Sequence, residues 1–484
     1  MAFTRRDVFI NFIWKLAERS GSQVISFVVT IILARLLMPS DYGTVALVMV
    51  FLTILQVFAD SGFGVALIQK KDADDVDFSS VFYINVAIGC LLYAIMWGMA
   101  PLIASFYQMP DLVALVRVMS LVLLINSLRN VQQAYVSKHM IFKRFFYATL
   151  GASIVSAVVG ISMAYLGFGV WALVAQQLTN NAIGTAILWF TVKWRPKRIC
   201  SLERLKGLFS FGWKMLSSAL LDTGYQQLWQ LIIGKLYSPA DLAFFNQGQK
   251  FPNLIVTNIN ASIDSILLPT MASEQDHRER VRDMTRRAIK TSIFIMAPMM
   301  MVLAFSSTNV VTLVLTEKWL PCVPFLCIFC INYMFWPVHT ANLNAINALG
   351  RSDIFLKLEI IKKVVGLSVL FFTMQYGVMA MAYGMLLTGV LSQIINSWPN
   401  RKLLGYGYLH QLRDLLPSIV LAVVSGAAAY GIGMMQLPIH LALVITLQVI
   451  VGAVTYLALS YLFRIDSLLY LFQVIKPIVA RKLG

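Results

Sequence analysis

Lys15, Arg19, Ser22, Ser26 and Thr30 stand three or four residues apart in an otherwise apolar stretch. At about 100° per residue they share an arc of about 80° on one helix face. Lys214, Ser218, Asp222, Gln226 and Gln230 repeat the idea at four-residue steps, as a row that winds slowly around its helix. Ammonium and guanidinium groups backed by hydroxyls and amides can hold a polar or negatively charged group by charge and hydrogen bonds. No catalytic constellation accompanies them, since the histidines are scattered and no Gly-rich phosphate loop is present.

Other charges lie in apolar stretches too. The cations are Lys15, Arg19, Arg35, Arg117, Arg129, Lys214, Lys235, Lys250, Lys362 and Lys363, and the acids are Glu18, Asp60, Asp222, Asp264 and Glu359. Each costs at least ~2.5 kcal/mol near a bilayer centre, so this set implies a wet, protein-lined interior with a positive surplus. Lys15, Arg19, Lys214, Lys250 and Gln226 are the candidate substrate contacts. Asp60 and Asp222 are either charge partners of these cations or carriers of a coupling ion. Arg35 and Lys235 lie near the ends of their stretches, where they can snorkel or pair with Asp41 and Asp241. Lys362 and Lys363 read as anchors at a membrane surface, with Glu359 neutralising one of them. The five histidines are scattered, and Cys322, Cys327 and Cys330 share an apolar stretch without His or acidic ligands. No catalytic site, metal or cofactor is expected.

These side chains need membrane helices to position them. The 484 residues are 59% hydrophobic and 13% charged, with a mean hydropathy of +0.75, too apolar for a soluble core and its surface. Apolar stretches of about 20 residues recur, without the short alternating segments of an outer-membrane barrel. Fourteen spans are predicted: 8–37, 42–69, 79–105, 112–136, 145–166, 168–192, 208–237, 242–271, 291–315, 321–349, 358–376, 377–397, 415–435 and 440–463. With the amino terminus inside, 28 Lys and Arg fall on cytoplasmic segments and only Lys318 on the other side, so both ends are expected in the cytoplasm. The net charge of +17 is then mostly topology, which requires no nucleic acid and leaves anionic membrane lipid as a partner. Gly62, Gly64, Pro252, Pro269, Pro298 and Pro337 are either hinges or ordinary membrane-helix irregularities.

The chain also echoes itself. ARLLMPSDYG (34–43) returns as GKLYSPADLA (234–243), Trp14-Lys15 as Trp213-Lys214, Leu67-Ile68 as Leu267-Leu268, and Gly169-Val170 with Ala172 as Gly377-Val378 with Ala380. The order is kept, and both blocks begin on the same side. Two six-helix lobes with parallel topology are therefore expected: 1–192, a basic cytoplasmic linker 193–207, and 208–397, with two further helices and a cytoplasmic tail in 398–484. Such halves can rock about a central cavity, which suits a transporter.

The segment AERSGSQVISFVVTIILARLLMPSDYGTVALV, followed by DSGFGVALIQKKD (60–72) and TEKW (316–319), resembles the polysaccharide-transporter branch of the multidrug, oligosaccharidyl-lipid and polysaccharide flippase superfamily, of the colanic-acid and O-antigen type. LLPTMASEQD (267–276) departs from the branch's usual phenylalanine-proline at Leu268-Pro269. The resemblance implies an inner-membrane flippase for undecaprenyl-diphosphate-linked oligosaccharide, working beside other polysaccharide-assembly membrane proteins. It makes Arg19 and Lys214, on the first and seventh helices, the matching diphosphate contacts. A cation-coupled multidrug exporter of the same superfamily, or a membrane-embedded polymerase or glycosyltransferase, are the alternatives.

Overall fold

The computed structural model describes residues 5–60, 62–435, 437–471 and 473, and no β-strand occurs among them. Helices follow from the composition: in lipid every backbone N–H and C=O must be satisfied within its own segment. The chain divides into two compact units, 1–243 and 244–484.

The first unit holds α1 (Arg5–Leu36), α2 (Pro39–Asp60), α3 (Phe63–Gln69), α4 (Asp75–Tyr107), α5 (Leu112–Met119), α6 (Leu121–Lys138), α7 (Lys143–Tyr165), α8 (Val170–Thr191) and α9 (Leu202–Leu236). Helix α10 (Pro239–Ser273) starts in it and continues into the second. There it is followed by α11 (Arg278–Phe305), α12 (Ser307–Val314), a 3-10 turn (Glu317–Cys322), α13 (Val323–Met334), α14 (Trp336–Ala348), α15 (Ser352–Thr373), α16 (Val378–Leu404), α17 (Tyr408–Met434) and α18 (Leu441–Leu462).

Helices occupy each of the fourteen ranges read from the sequence. Among the described residues, eleven helical runs are long and apolar enough to cross a membrane. Helices α8, α9 and α15 are not among those eleven. Their composition gives the reason: α8 carries Gln176, Gln177, Asn180 and Asn181, α9 the long polar row, and α15 Lys357, Glu359, Lys362 and Lys363. Pro337 stands in the first turn of α14, where proline's missing N–H costs nothing.

Within the first unit α1 packs on α7, α7 on α8, α4 on α6 and α6 on α8. Within the second, α11 packs on α13 and α14, both of these on α16, and α15 on α16, while α17 lies on α11 and α18 on α17. Helix α9 packs on α2, α3 and α4, which is why the compact division falls after it.

The repeated motifs mark helix starts. Asp41 accepts from the Met38 N–H at 3.0 Å, and Asp241 from the Ser238 N–H at 3.2 Å and the Ser238 hydroxyl at 2.6 Å. Each carboxylate thus satisfies an otherwise orphaned donor at the start of α2 or α10. The two motifs also touch: a Cβ built on Gly43 would lie 1.7 Å from the Pro239 carbonyl oxygen. Gly169 and Gly377 precede α8 and α16 with φ of +53° and +102°, which explains that echo.

Residues 193–207 are strapped down. Trp194 packs among Phe78, Phe82 and Tyr135, and the backbone N–H groups of Lys197 and Ser201 donate to Ser79 and Ser80 at 3.0 and 2.9 Å. Helix α9 begins inside this stretch, with Ser201 as its cap. Arg204 holds both oxygens of Asp74 at 2.7 Å, Lys197 meets Asp75 at 2.6 Å, and Lys70 meets the buried Asp77 at 2.7 Å. The Asp77 backbone N–H, and after it Arg204, hold the Asp74 carboxyl below the usual carboxylate range.

Candidate functional site: a polar face on the first helix and an amide ladder ending in Asp60

Helix α1 has three faces. Gly21, Ile25 and Val29 pack on α7, where a Cβ on Gly21 would meet Leu150 at 3.0 Å. Ile13, Val24, Phe27 and Val28 are exposed on a second face, suited to lipid. Lys15, Arg19, Ser22, Ser26 and Thr30 make the third, roughly opposite the apolar exposed one.

On this polar face the two cations differ. Lys15 pairs with Glu18 at 2.7 Å and lies over the rings of Phe145 and Phe142 at 5.2 and 5.9 Å. Glu18 also accepts from the Thr149 hydroxyl at 3.1 Å, which ties the pair to α7. Arg19 is exposed and has no carboxylate partner among the described residues. Its main-chain oxygen accepts from Ser22 at 3.1 Å, and its guanidinium keeps its five donors for something else. Neither Asp60 nor Asp222 neutralises it.

Asp60 sits at the end of α2. Its Oδ1 accepts from Gln56 Nε2 at 2.9 Å and from Asn130 Nδ2 on α6 at 3.1 Å, while Asn126 Nδ2 donates to Gln56 Oε1 at 2.9 Å. The result is a ladder of neutral amides leading to one carboxylate. Two residues after it Gly62 takes φ +68°, and a Cβ there would lie 2.8 Å from the Gly212 carbonyl of α9. That approach places Asp60 two residues from one side of a tight backbone contact and Lys214 two residues from the other. The side chain of Lys214 lies outside the described residues, as do those of Arg5 and Arg6 and all of Lys476, Arg481 and Lys482.

Farther along α9, Gln226 Nε2 donates to Asp222 Oδ2 at 2.8 Å, and both residues are exposed. Lys250, on α10, is exposed and belongs to the second unit. In the first unit the structure therefore brings together Lys15 with Glu18 and Asp222 with Gln226, and sets Arg19 apart with its charge available.

Of the remaining intramembrane cations, Lys235 donates to the Phe106 carbonyl and lies 4.6 Å from that ring, Arg117 stacks 4.5 Å from Trp97, and Lys362 pairs with Glu359 at 2.5 Å. With its amide oxygen turned to the guanidinium, Gln133 accepts from Arg129 at 2.9 and 3.0 Å. The sequence reading had not singled out Gln56, Asn126 or Asn130. The available signal was the matching four-residue spacing of 56/60 and 126/130 on two polar-flecked spans. Among the described residues no three His, Cys, Asp or Glu side chains come together as metal ligands.

The chain is similar to the teichuronic acid biosynthesis protein TuaB of Bacillus subtilis (strain 168), at 26% identity over 422 residues, covering 84% of this chain and 85% of that one. It is also similar to the lipopolysaccharide biosynthesis protein WzxC of Escherichia coli (strain K12), at 22% identity over 414 residues, covering 83% and 82%. Among solved structures, the lipid II flippase MurJ in an inward closed conformation matches with a TM-score of 0.74 at 13% identity, covering 94% of this chain and 99% of that one, which establishes a shared fold. The family model described as "Polysaccharide biosynthesis protein" matches residues 32–324, more than half of the chain. The all-helical membrane protein built around these polar faces belongs to the polysaccharide biosynthesis protein family.

Proposed function

We propose that the protein is a flippase that moves an undecaprenyl-diphosphate-linked oligosaccharide from the cytoplasmic to the periplasmic leaflet of the bacterial inner membrane. The observation that carries this reading is Arg19: an exposed guanidinium on the polar face of a membrane helix, without a carboxylate partner among the described residues, in a chain of this family. A diphosphate is the ligand class that such a group fits best, through two parallel N–H···O bonds. Lys214, Lys250 and Gln226 are its proposed companions, with Lys15 contributing once Glu18 releases it. Asp60 and Asp222 are proposed as charge partners or ion carriers.

The working cycle is alternating access by two repeats of six helices each, 1–192 and 208–397, with the lipid tail remaining in the bilayer. Both termini and residues 193–207 face the cytoplasm in this reading. Transport, and no covalent change, is the activity. A cation-drug exporter of the same superfamily would prefer an acidic or aromatic cavity, and the surplus of intramembrane cations disfavours the acidic one.

A strain lacking the protein tests the reading. It should accumulate the complete lipid-linked repeat unit at the cytoplasmic leaflet, identified by mass spectrometry, while surface glycan disappears. Accumulation of an unfinished or unpolymerised glycan on the periplasmic side would point to an assembly enzyme and refute transport.

A further inference from the structure

The ladder that ends in Asp60 occurs twice. In the first unit Asn126 reaches Gln56 and Asn130 reaches Asp60, each across 70 residues, joining α6 to α2. In the second unit Thr340 donates to Asn260 at 2.8 Å and Asn344 Nδ2 to Asp264 Oδ1 at 2.8 Å, each across 80 residues, joining α14 to α10. Both ladders have an amide and an aspartate four residues apart on one helix, faced by two polar side chains four residues apart on the other. Asp60 comes nine residues before Gln69, where its helical run ends, and Asp264 nine before Ser273. The run 239–273 has 35 residues against 31 in 39–69, so counting from the ends brings the two aspartates into register.

What the two carboxylates lack is as telling as what they hold. Among the described residues neither Asp60 nor Asp264 forms an ion pair, and in each the Oδ2 atom has no hydrogen-bond partner. Glu18 and Glu359, also in membrane helices, are paired with Lys15 and Lys362. Several cations on neighbouring elements are engaged elsewhere among the described residues. Beside Asp60, Arg129 faces Gln133, Lys138 donates to the Leu67 carbonyl, Arg117 stacks on Trp97, Lys70 and Arg204 hold Asp77 and Asp74, and Asp222 of α9 holds Gln226. Lys214 stands two residues beyond the Gly62 contact. In the second unit His339 of α14 is bonded to Asn396, Arg286 and Lys290 of α11 hold Asp414 and Asp466, and Lys250 stands fourteen residues earlier on α10. A membrane-embedded carboxylate held only by neutral donors relieves its charge most simply by taking up a proton on the open oxygen.

We propose that Asp60 and Asp264 are a duplicated pair of proton-carrying stations, one in each unit, loaded and unloaded as the protein cycles. This inference rests on the transport reading for its purpose, while its chemistry can be read without transport. Dicyclohexylcarbodiimide adds to protonated carboxyls within membranes, and peptide mass spectrometry locates the adduct. Protein in a lipid bilayer should be modified at Asp60 and Asp264, with Glu18 and Glu359 spared by their lysines. Modification should vanish at the substituted position in Asp60→Asn and Asp264→Asn, which preserve the hydrogen-bond shape and so the fold. Failure of both aspartates to react at every pH where the protein stays folded would overturn the proposal.

In liposomes, a pH gradient should speed the movement of lipid-linked oligosaccharide, and each Asn variant should cut that acceleration at least about tenfold at unchanged thermal stability. Movement by the unsubstituted protein that ignores the gradient would overturn the stations and leave the flippase standing. Labelled aspartates with no glycolipid movement would sustain the stations and refute the flippase.

Discussion

Arg19 and Lys15 lie one turn apart on one face and differ in what they can still bind. Lys15 has Glu18 at 2.7 Å and two aromatic rings beneath it, whereas Arg19 presents its guanidinium with no carboxylate partner among the described residues. Replacing Arg19 by alanine should therefore reduce surface glycan at least about tenfold at an unchanged level of membrane protein, since no buried acid is stranded by its loss. Lysine at 19 should restore part of the activity if charge dominates, and little if the planar fork is needed. Arg35→Ala should be tolerated. Immunoblotting of membranes beside quantified surface glycan checks all three. The polar face itself was legible in the sequence because hydroxyls and cations recur at helical spacing. The division of labour between Lys15 and Arg19 was not, because it depends on Thr149, 131 residues away, fixing Glu18. The Asn130 partner of Asp60 was hidden for the same reason.

At the scale of elements, the strongest local signal was the line that the chain writes twice. Asp41 and Asp241 each bind a backbone N–H three residues earlier, so each should contribute about 1 kcal/mol to its helix start. Asp41→Ala and Asp241→Ala should lower the thermal midpoint in detergent by a few degrees each. Gly43→Ala should do more harm, since its Cβ would sit 1.7 Å from the Pro239 oxygen and one of two helix starts must shift. Scanning fluorimetry of the three variants gives the order; a Gly43→Ala protein as stable as the parent would contradict the contact.

The strap at 193–207 adds a pH dependence. Because Asp74's folded-state carboxyl lies below its ordinary value, its contribution is complete above the usual carboxylate range and fades as pH falls through that lowered value. Arg204→Ala should remove part of this acid sensitivity. Sequence spacing placed the helices, but α9 starts within the basic stretch, six residues before the expected 208. Its Ser201 cap is a local signal, whereas the packing of Trp194 on Phe78, Phe82 and Tyr135 is long-range and carries no local mark.

For the whole molecule, hydropathy and the distribution of Lys and Arg made the membrane class plain, and the echoes at 34–43 and 234–243 pointed to duplication. Packing runs α4–α6–α8 with α7 in one unit and α11–α13/α14–α16 with α15 in the other. Reporter fusions within 195–206 and after residue 484 should both read cytoplasm, and a periplasmic reading from either would break the proposed orientation. What the molecule does as a whole is tested most directly by reconstitution. Purified protein in liposomes, given an undecaprenyl-diphosphate-linked oligosaccharide on one leaflet, should make that lipid accessible to a glycan-cleaving enzyme on the other side, with its mass unchanged until cleavage, and the Arg19→Ala protein should not. Equal exposure in protein-free liposomes, or a change in the lipid's mass without its crossing, would contradict the account.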